Sequence, residues 1–406
     1  MSRARSSATL VVSAWGLALC AFVGCEDDGA SPAPTVEAGS PDSPAPDAAG
    51  DSSSPAPDAR SDAGSPIDLS TVTWQRLPDL PPDGARVGTE SDVAVDAMGR
   101  VLVTFGESAS GFIAPHSLSV YRFEGTDWAR VGGAPLVDGA ASTIARPRLA
   151  LAKDGAIYVS YATGGAAVVQ RYSGAAWSTL PAPGFDGTKA ITVDAAGFPV
   201  VAGFVGSSAL TAKRFDGTTW SAELAADVDA GTGSEQGVQA LATHPDGSIV
   251  GVRRAGQRLR AFRLSGTSVA PLGAEIADGI FPDIALSPTG RLVAAWSGDN
   301  VYAAHYDEGT GSFAPLGGAL GGPSARYVVA AIDPFDRAFA AWREPLLGIR
   351  VSAYATSWQA LPAPPAAGGT LPAIHLDGRS LPVISFEAPR DGGGGSLIGV
   401  LRAVAP

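Results

Sequence analysis

Apolar and polar residues alternate along this chain in runs of four to seven, and the runs end at Gly, Asp or Pro. Period-two alternation over so few residues predicts half-buried strands separated by tight turns. Long helices are nowhere signalled. After Asp68 one phrase, an apolar run, a turn and a second apolar run, comes seven times: SDVAVDAMGRVLVTF, PRLALAKDGAIYVSY, AITVDAAGFPVVAG, ALATHPDGSIVGVR, DIALSPTGRLVAAW, VAAIDPFDRAFAAW and AIHLDGRSLPVISF. A second phrase follows it, as in LSVYRFEGTDW and LTAKRFDGTTW. Its closing residues, Trp128, Trp177, Trp220, Val269, Phe313 and Trp358, lie roughly 45 residues apart, a blade-like period.

Each unit therefore holds two hairpins and four strands. In the first unit these are A (Val93–Val95), B (Val101–Phe105), C (Leu118–Phe123) and D (Trp128–Val131). The repeat opens with a lone D-type segment, Trp74–Leu77, and finishes on a C-type segment, Gly399–Val404. Seven complete units result if the first D belongs to the last unit, an exchange by which a sheet that must avoid exposed edges can close its ring. The expected fold is all-β: a seven-bladed β-propeller of four-stranded blades over residues 69–406, closed by the N-terminal strand completing the last blade. Six or eight blades are the alternative counts. In topology this resembles WD-repeat and kelch propellers, without the Trp-Asp dipeptide or its upstream Gly-His. The pairs Gly132-Gly133 and Gly317-Gly318 follow strand D, not the place kelch repeats give them. The chain is also similar to repeat-bearing, mostly uncharacterised bacterial lipoproteins whose units end in a phrase like R-F-D-G-T-x-W.

The front of the chain reads as an address. Arg3 and Arg5 precede an apolar run, Ala8 to Gly24, of signal-peptide length and short for a membrane span. The run ends Phe22-Val23-Gly24-Cys25, which resembles a lipobox, with Phe22 where Leu is usual. The resemblance implies cleavage after Gly24, a lipid on Cys25, and a lipid-anchored protein of the cell envelope, on the outer membrane; the Phe22 departure leaves ordinary signal-peptidase cleavage as the alternative. Residues 1–24 are then a signal peptide. Cys20 leaves with it, and Cys25 remains as the one cysteine, which excludes an internal disulfide or a Cys metal site. Residues 25–68 are almost wholly Ala, Pro, Ser, Asp and Gly, with ten acids against the single Arg60. They bury too little apolar surface to offset chain entropy and are expected to be a disordered tether. About forty such residues reach roughly 35 Å as a coil and about 120 Å as drawn-out polyproline.

Composition fits this picture: 51 Gly and 32 Pro suit many turns, and only 17% of residues are charged. A net charge of −12 excludes nucleic acid as a main partner. Catalytic signals are poor. The four histidines fall in four units without metal-ligand spacing, and no G-x-S-x-G elbow is present. No cofactor and no metal are expected. Phe215–Trp220 lacks the residue order of a sialidase Asp-box, and a kelch-type copper-radical oxidase needs a Cys–Tyr cross-link. Asp227 to Glu235 loosely resembles a calcium loop but lacks its third oxygen, which favours an acidic surface loop.

Aligned units give columns. Small residues on strand A (Ala94, Ala150, Thr192, Ala242, Ala285, Ala331 and Ala373) fit a crowded axis. Aromatics ending strand B (Phe105, Tyr161, Trp296, Trp342 and Phe386) are core, or alternatively platforms for sugars. Arg122 and Arg214 on strand C are placed to brace Asp96 and Asp194 in the A–B turn column, whose seventh member is His375. Arg253, Arg254, Arg258, Arg260 and Arg263 read as a solvated face, with contact to an anionic glycan or partner as the alternative.

These features point to a recognition or scaffold module for a protein or glycan partner. The longest B–C loops belong to units one, six and seven, and offer Phe112, His116, Arg343, Glu344, Arg390 and Asp391 as the candidate ligand patch. The alternatives are an envelope glycan hydrolase or lyase, with two acids converging in the central funnel, and a structural spacer. The fold does not choose among them.

Overall fold

The computed structural model describes residues 66–81, 87–108, 115–140, 143–205, 209–222, 224–225, 237–390 and 396–406. The signal segment, Cys25, the tether and the Asp227–Glu235 loop lie outside them. The described residues form seven four-stranded antiparallel sheets, six of them built from four consecutive strands. The seventh takes its outermost strand, Thr73–Arg76, from the front of the chain and pairs it with the last strand, Ser396–Val404. Thr73 faces Val404 and Arg76 faces Leu401. Beyond the strand, Leu77 N donates to Val400 O, and Leu80 and Ile398 exchange a pair of backbone bonds. Innermost strands of successive blades touch all the way round, the seventh against the first. The ring is a closed seven-bladed propeller.

The local chemistry explains the hairpins. Four A–B turns are Asx turns: the Oδ1 atoms of Asp96, Asp194, Asp333 and Asp377 accept from the N–H groups two and four residues on, at 2.8–3.0 Å. Asp377, not His375, thus belongs to the turn column. His375 faces Val383 as Ala94 faces Leu102, so the strand A column ends in His375 rather than Ala373. The register follows the carboxylate that closes the turn, and the Ala pattern misplaces it by two residues. Arg214 reaches Asp194 at 3.5 Å. Arg122 instead takes Glu124, because Asp96 is held by Arg100 at 2.8 Å.

The column of D-strand aromatics works between blades. Each indole N–H donates to a carbonyl that follows strand D of the preceding blade: Trp128 to Pro78, Trp177 to Val131, Trp220 to Pro181, Trp358 to Leu316 and Trp74 to Pro362. Two of these bonds cross the closure. Gly132 has φ +81°, and a Cβ there would stand 2.8 Å from the Trp177 ring. The first Gly of the Gly-Gly pair is therefore space for the next blade's indole. The strand B aromatics are packed between sheets, with Phe105, Tyr161, Trp296, Trp342 and Phe386 all buried, which removes them as sugar platforms.

Candidate functional site

Strand A is longer than its alternation suggests, running Val87–Val95 in the first blade, and every innermost strand is bulged near its start. The bulge inserts residues that have no partner on strand B and re-aims them. In five blades it carries a non-Gly residue in the left-handed region: Glu90 (φ 49°), Arg146 (55°), Phe281 (49°), Tyr327 (58°) and Leu371 (48°). In blades three and four the inserted residues are Lys189 and Gln239. Together these seven side chains ring one end of an axial cavity of about 470 Å³. A non-Gly residue held at positive φ costs about 1–3 kcal/mol and persists only where its surroundings fix it.

Carboxylates do part of that fixing. Glu387 Oε1 accepts from Glu90 N at 2.7 Å, and Glu90 Oε2 accepts from Arg146 N at 2.6 Å, a relay from blade seven to one to two. Two residues further along strand A, Asp92 Oδ2 accepts from Leu149 N at 2.9 Å, and Asp283 Oδ2 accepts from Ala330 N at 2.8 Å. Those two bonds are equivalent, each tying one blade to the next. Arg148 occupies the equivalent place in blade two, and His375 lines the cavity two residues further along strand A of blade seven.

Asp283 keeps some exposure because it borders the cavity, yet it lies deep inside the ring. Desolvation pushes its carboxyl up to about 6 against the pull of two backbone N–H groups, with Arg148 lowering it and the Asp92 charge raising it. Burial likewise raises Asp92, opposed first by Arg148, and raises Glu387. Burial lowers His375, opposed by its bond to the Leu376 carbonyl.

The bulge ring is divided. Blades one to four contribute Glu90, Arg146, Lys189 and Gln239, whereas five to seven contribute Phe281, Tyr327 and Leu371. The Phe281 and Tyr327 rings lie 4.6 Å apart at 45°. No group of three or more His, Cys, Asp or Glu suited to a metal ion occurs among the described residues.

The loop patch expected from the sequence falls elsewhere. His116, Arg343, Glu344 and Arg390 stand at the B–C ends of their blades, and none lines the cavity. His116 Nδ1 donates to Ala140 O at 2.7 Å, and Glu344 accepts from Gly322 N and Trp342 Nε1. Between Glu344 and Gly348 the B–C loop of blade six exposes Leu346 and Leu347. Phe112 and Asp391 lie outside the described residues. Of the Arg cluster, Arg254 lines the cavity, Arg258 pairs with Glu275, and Arg263 pairs with Asp246 and Glu308. Sequence reasoning missed the bulge ring, although a signal was present: Pro147, Pro282 and Pro372 recur directly after three of its members.

No protein-family model matches the chain, and no curated protein matches it. Among solved structures it is similar to a protein of unknown function from Dyadobacter fermentans, with 15% identity over 82% of this chain and 99% of that one, and a TM-score of 0.52. It is similar to a catalytically inactive virginiamycin B lyase from Staphylococcus aureus solved with quinupristin, with 12% identity, 82% and 100% coverage, and a TM-score of 0.59. A fungal alcohol oxidase of the AA5 family, in complex with copper, gives 13%, 83%, 76% and 0.57. At these identities the likeness shows the propeller fold alone.

Proposed function

We propose that this protein is a recognition module displayed on the cell envelope by a lipid on Cys25 and a flexible tether, with the axial funnel as its ligand site. One observation carries the funnel: seven bulges, five of them in a disfavoured backbone conformation, set seven side chains around one cavity. A cavity of roughly 300–1,000 Å³ with a few placed polar groups is the usual form of a small-ligand site. The full-length protein, immobilised and offered envelope glycan fragments and peptides, is expected to retain a ligand. Leu371→Trp, which fills the cavity, abolishes retention, and Arg258→Ala on the exposed hairpin of blade four leaves it unchanged. A filled funnel that retains as well as the parent ends this reading. For the anchor, Cys25→Ser is expected to move the protein from the membrane to the soluble fraction; unchanged sedimentation with membranes overturns it.

A second reading, a glycan hydrolase or lyase, has one observation in its favour. Asp92 and Asp283 lie in one funnel with raised affinity for protons, and the Asp92 charge contributes to raising Asp283. Both carboxylates are also occupied by backbone N–H groups of the neighbouring blade, which is a structural task. Turnover of envelope glycans that is lost in Asp283→Asn, with folding intact, would move the protein to the enzyme class.

A further inference from the structure

The funnel's division into a charged arc and an apolar arc narrows what it can hold, given that it is the ligand site. On the apolar arc, Phe281 and Tyr327 come from consecutive blades, and both are half-exposed to the cavity. Their rings form an inclined pair, the kind of surface against which a flat apolar ring packs face or edge. Leu371 extends that wall into blade seven.

The anions around the cavity are engaged. Glu90 holds Arg146 N, Asp92 holds Leu149 N, and Asp283 holds Ala330 N. The cations are differently placed. Arg148 spends one guanidinium nitrogen on its neighbour's carbonyl, Pro147 O, at 2.9 Å. The Arg146 guanidinium has no carboxylate within ion-pair distance among the described residues, although its own backbone N–H is fixed by Glu90. A half-buried guanidinium with donors open toward a cavity is matched by a planar or tetrahedral oxyanion. Arg148, Lys189 and Arg254 also line the cavity, so Arg146 stands among other cations.

We propose that the funnel binds a small amphipathic anion, a flat apolar ring bearing a carboxylate, sulfonate or phosphate, with the ring against Phe281 and Tyr327 and the acid group on Arg146. The ligand enters ring-side toward blades five and six and charge-side toward blade two. Arg146 sets the preference for charge, and the aromatic pair sets the preference for a ring.

Isothermal titration of the full-length protein at neutral pH tests this with naphthalene-2-sulfonate, naphthalene-2-methanol, 2-naphthylmethylammonium and inorganic phosphate. The sulfonate is expected to bind with one-to-one stoichiometry, about tenfold or more tighter than the alcohol, with the ammonium and phosphate far weaker. Arg146→Gln brings the sulfonate down to the level of the alcohol and leaves the alcohol unchanged; Arg146→Lys recovers part of the loss. Tyr327→Ala weakens sulfonate and alcohol together. Equal binding of the three naphthyl probes, or sulfonate binding indifferent to both Arg146 variants at an unchanged unfolding temperature, overturns the proposal. If no naphthyl probe binds but an envelope ligand is retained and Leu371→Trp removes it, the ligand class falls and the funnel stands. If Leu371→Trp leaves that retention intact, the funnel itself falls.

Discussion

Single carboxylates in this ring both brace the backbone and meet the cavity, and Asp283 makes the consequence measurable. Its folded-state pKa, about 6, lies above the ordinary 3.8, so the folded protein prefers the protonated form. The stability linked to it is fully present below about pH 4 and is lost as the pH rises through 6. Asparagine keeps an oxygen that can accept from Ala330 N and removes the titration. The difference in unfolding temperature between Asp283→Asn and the parent is therefore expected to grow in the variant's favour from pH 4 to about 7. A constant difference across that range contradicts the assignment. Asp96, whose hydrogen bonds outweigh its desolvation and lower its pKa, has the opposite sign and acts only as the pH falls below about 4.

Between neighbouring blades, the indole bond and the glycine beside it act as one joint. Trp177→Phe removes the N–H that meets Val131 O, 3.0 Å away, and keeps most of the ring; the cost is about 1 kcal/mol. Gly132→Ala adds a Cβ 2.8 Å from the Trp177 ring at φ +81°, for which about 1–2 kcal/mol is the backbone cost alone. In chemical denaturation the two variants together are expected to cost less than the sum of each, because the second change acts on a contact the first has already loosened. Strict additivity would mean that the two do not share the joint. The indole column was legible in the sequence, since a bulky aromatic at a fixed period marks a repeated contact. Gly132 was also visible, but its purpose was not, because its contact with Trp177 lies between units. The bulge ring was hidden for a different reason. An inserted residue breaks period-two alternation, so the readable part of strand A stopped at Val93, just short of Glu90 and Asp92. His375 was misplaced because small apolar residues align almost anywhere, whereas a turn-closing Asp such as Asp377 aligns in one register.

For the whole molecule the closure decides stability. Without residues 1–81 the strand Ser396–Val404 loses its partner Thr73–Arg76, so blade seven ends on a bare nine-residue strand C where every other blade ends on its strand D. Such a truncated chain is expected to associate through that edge, read as dimers or larger species in light scattering, and to lose its single cooperative unfolding transition. A monomer with the parent's melting profile would show that the closing strand is dispensable. Seven blades, their order and the shared last blade all followed from counting complementary half-units, because ring closure leaves a signature at both ends of a sequence. The cavity did not follow: long hairpins mark where variation is tolerated, while the cavity is built where backbones converge.

The borrowed strand also sets a timetable. Thr73–Arg76 emerges from the ribosome before the rest of the sheet it will complete, and its partner Ser396–Val404 is among the last segments made. Until that partner has been made it has no strand to pair with, so this is the segment whose protection by a chaperone bears most on the yield of finished rings.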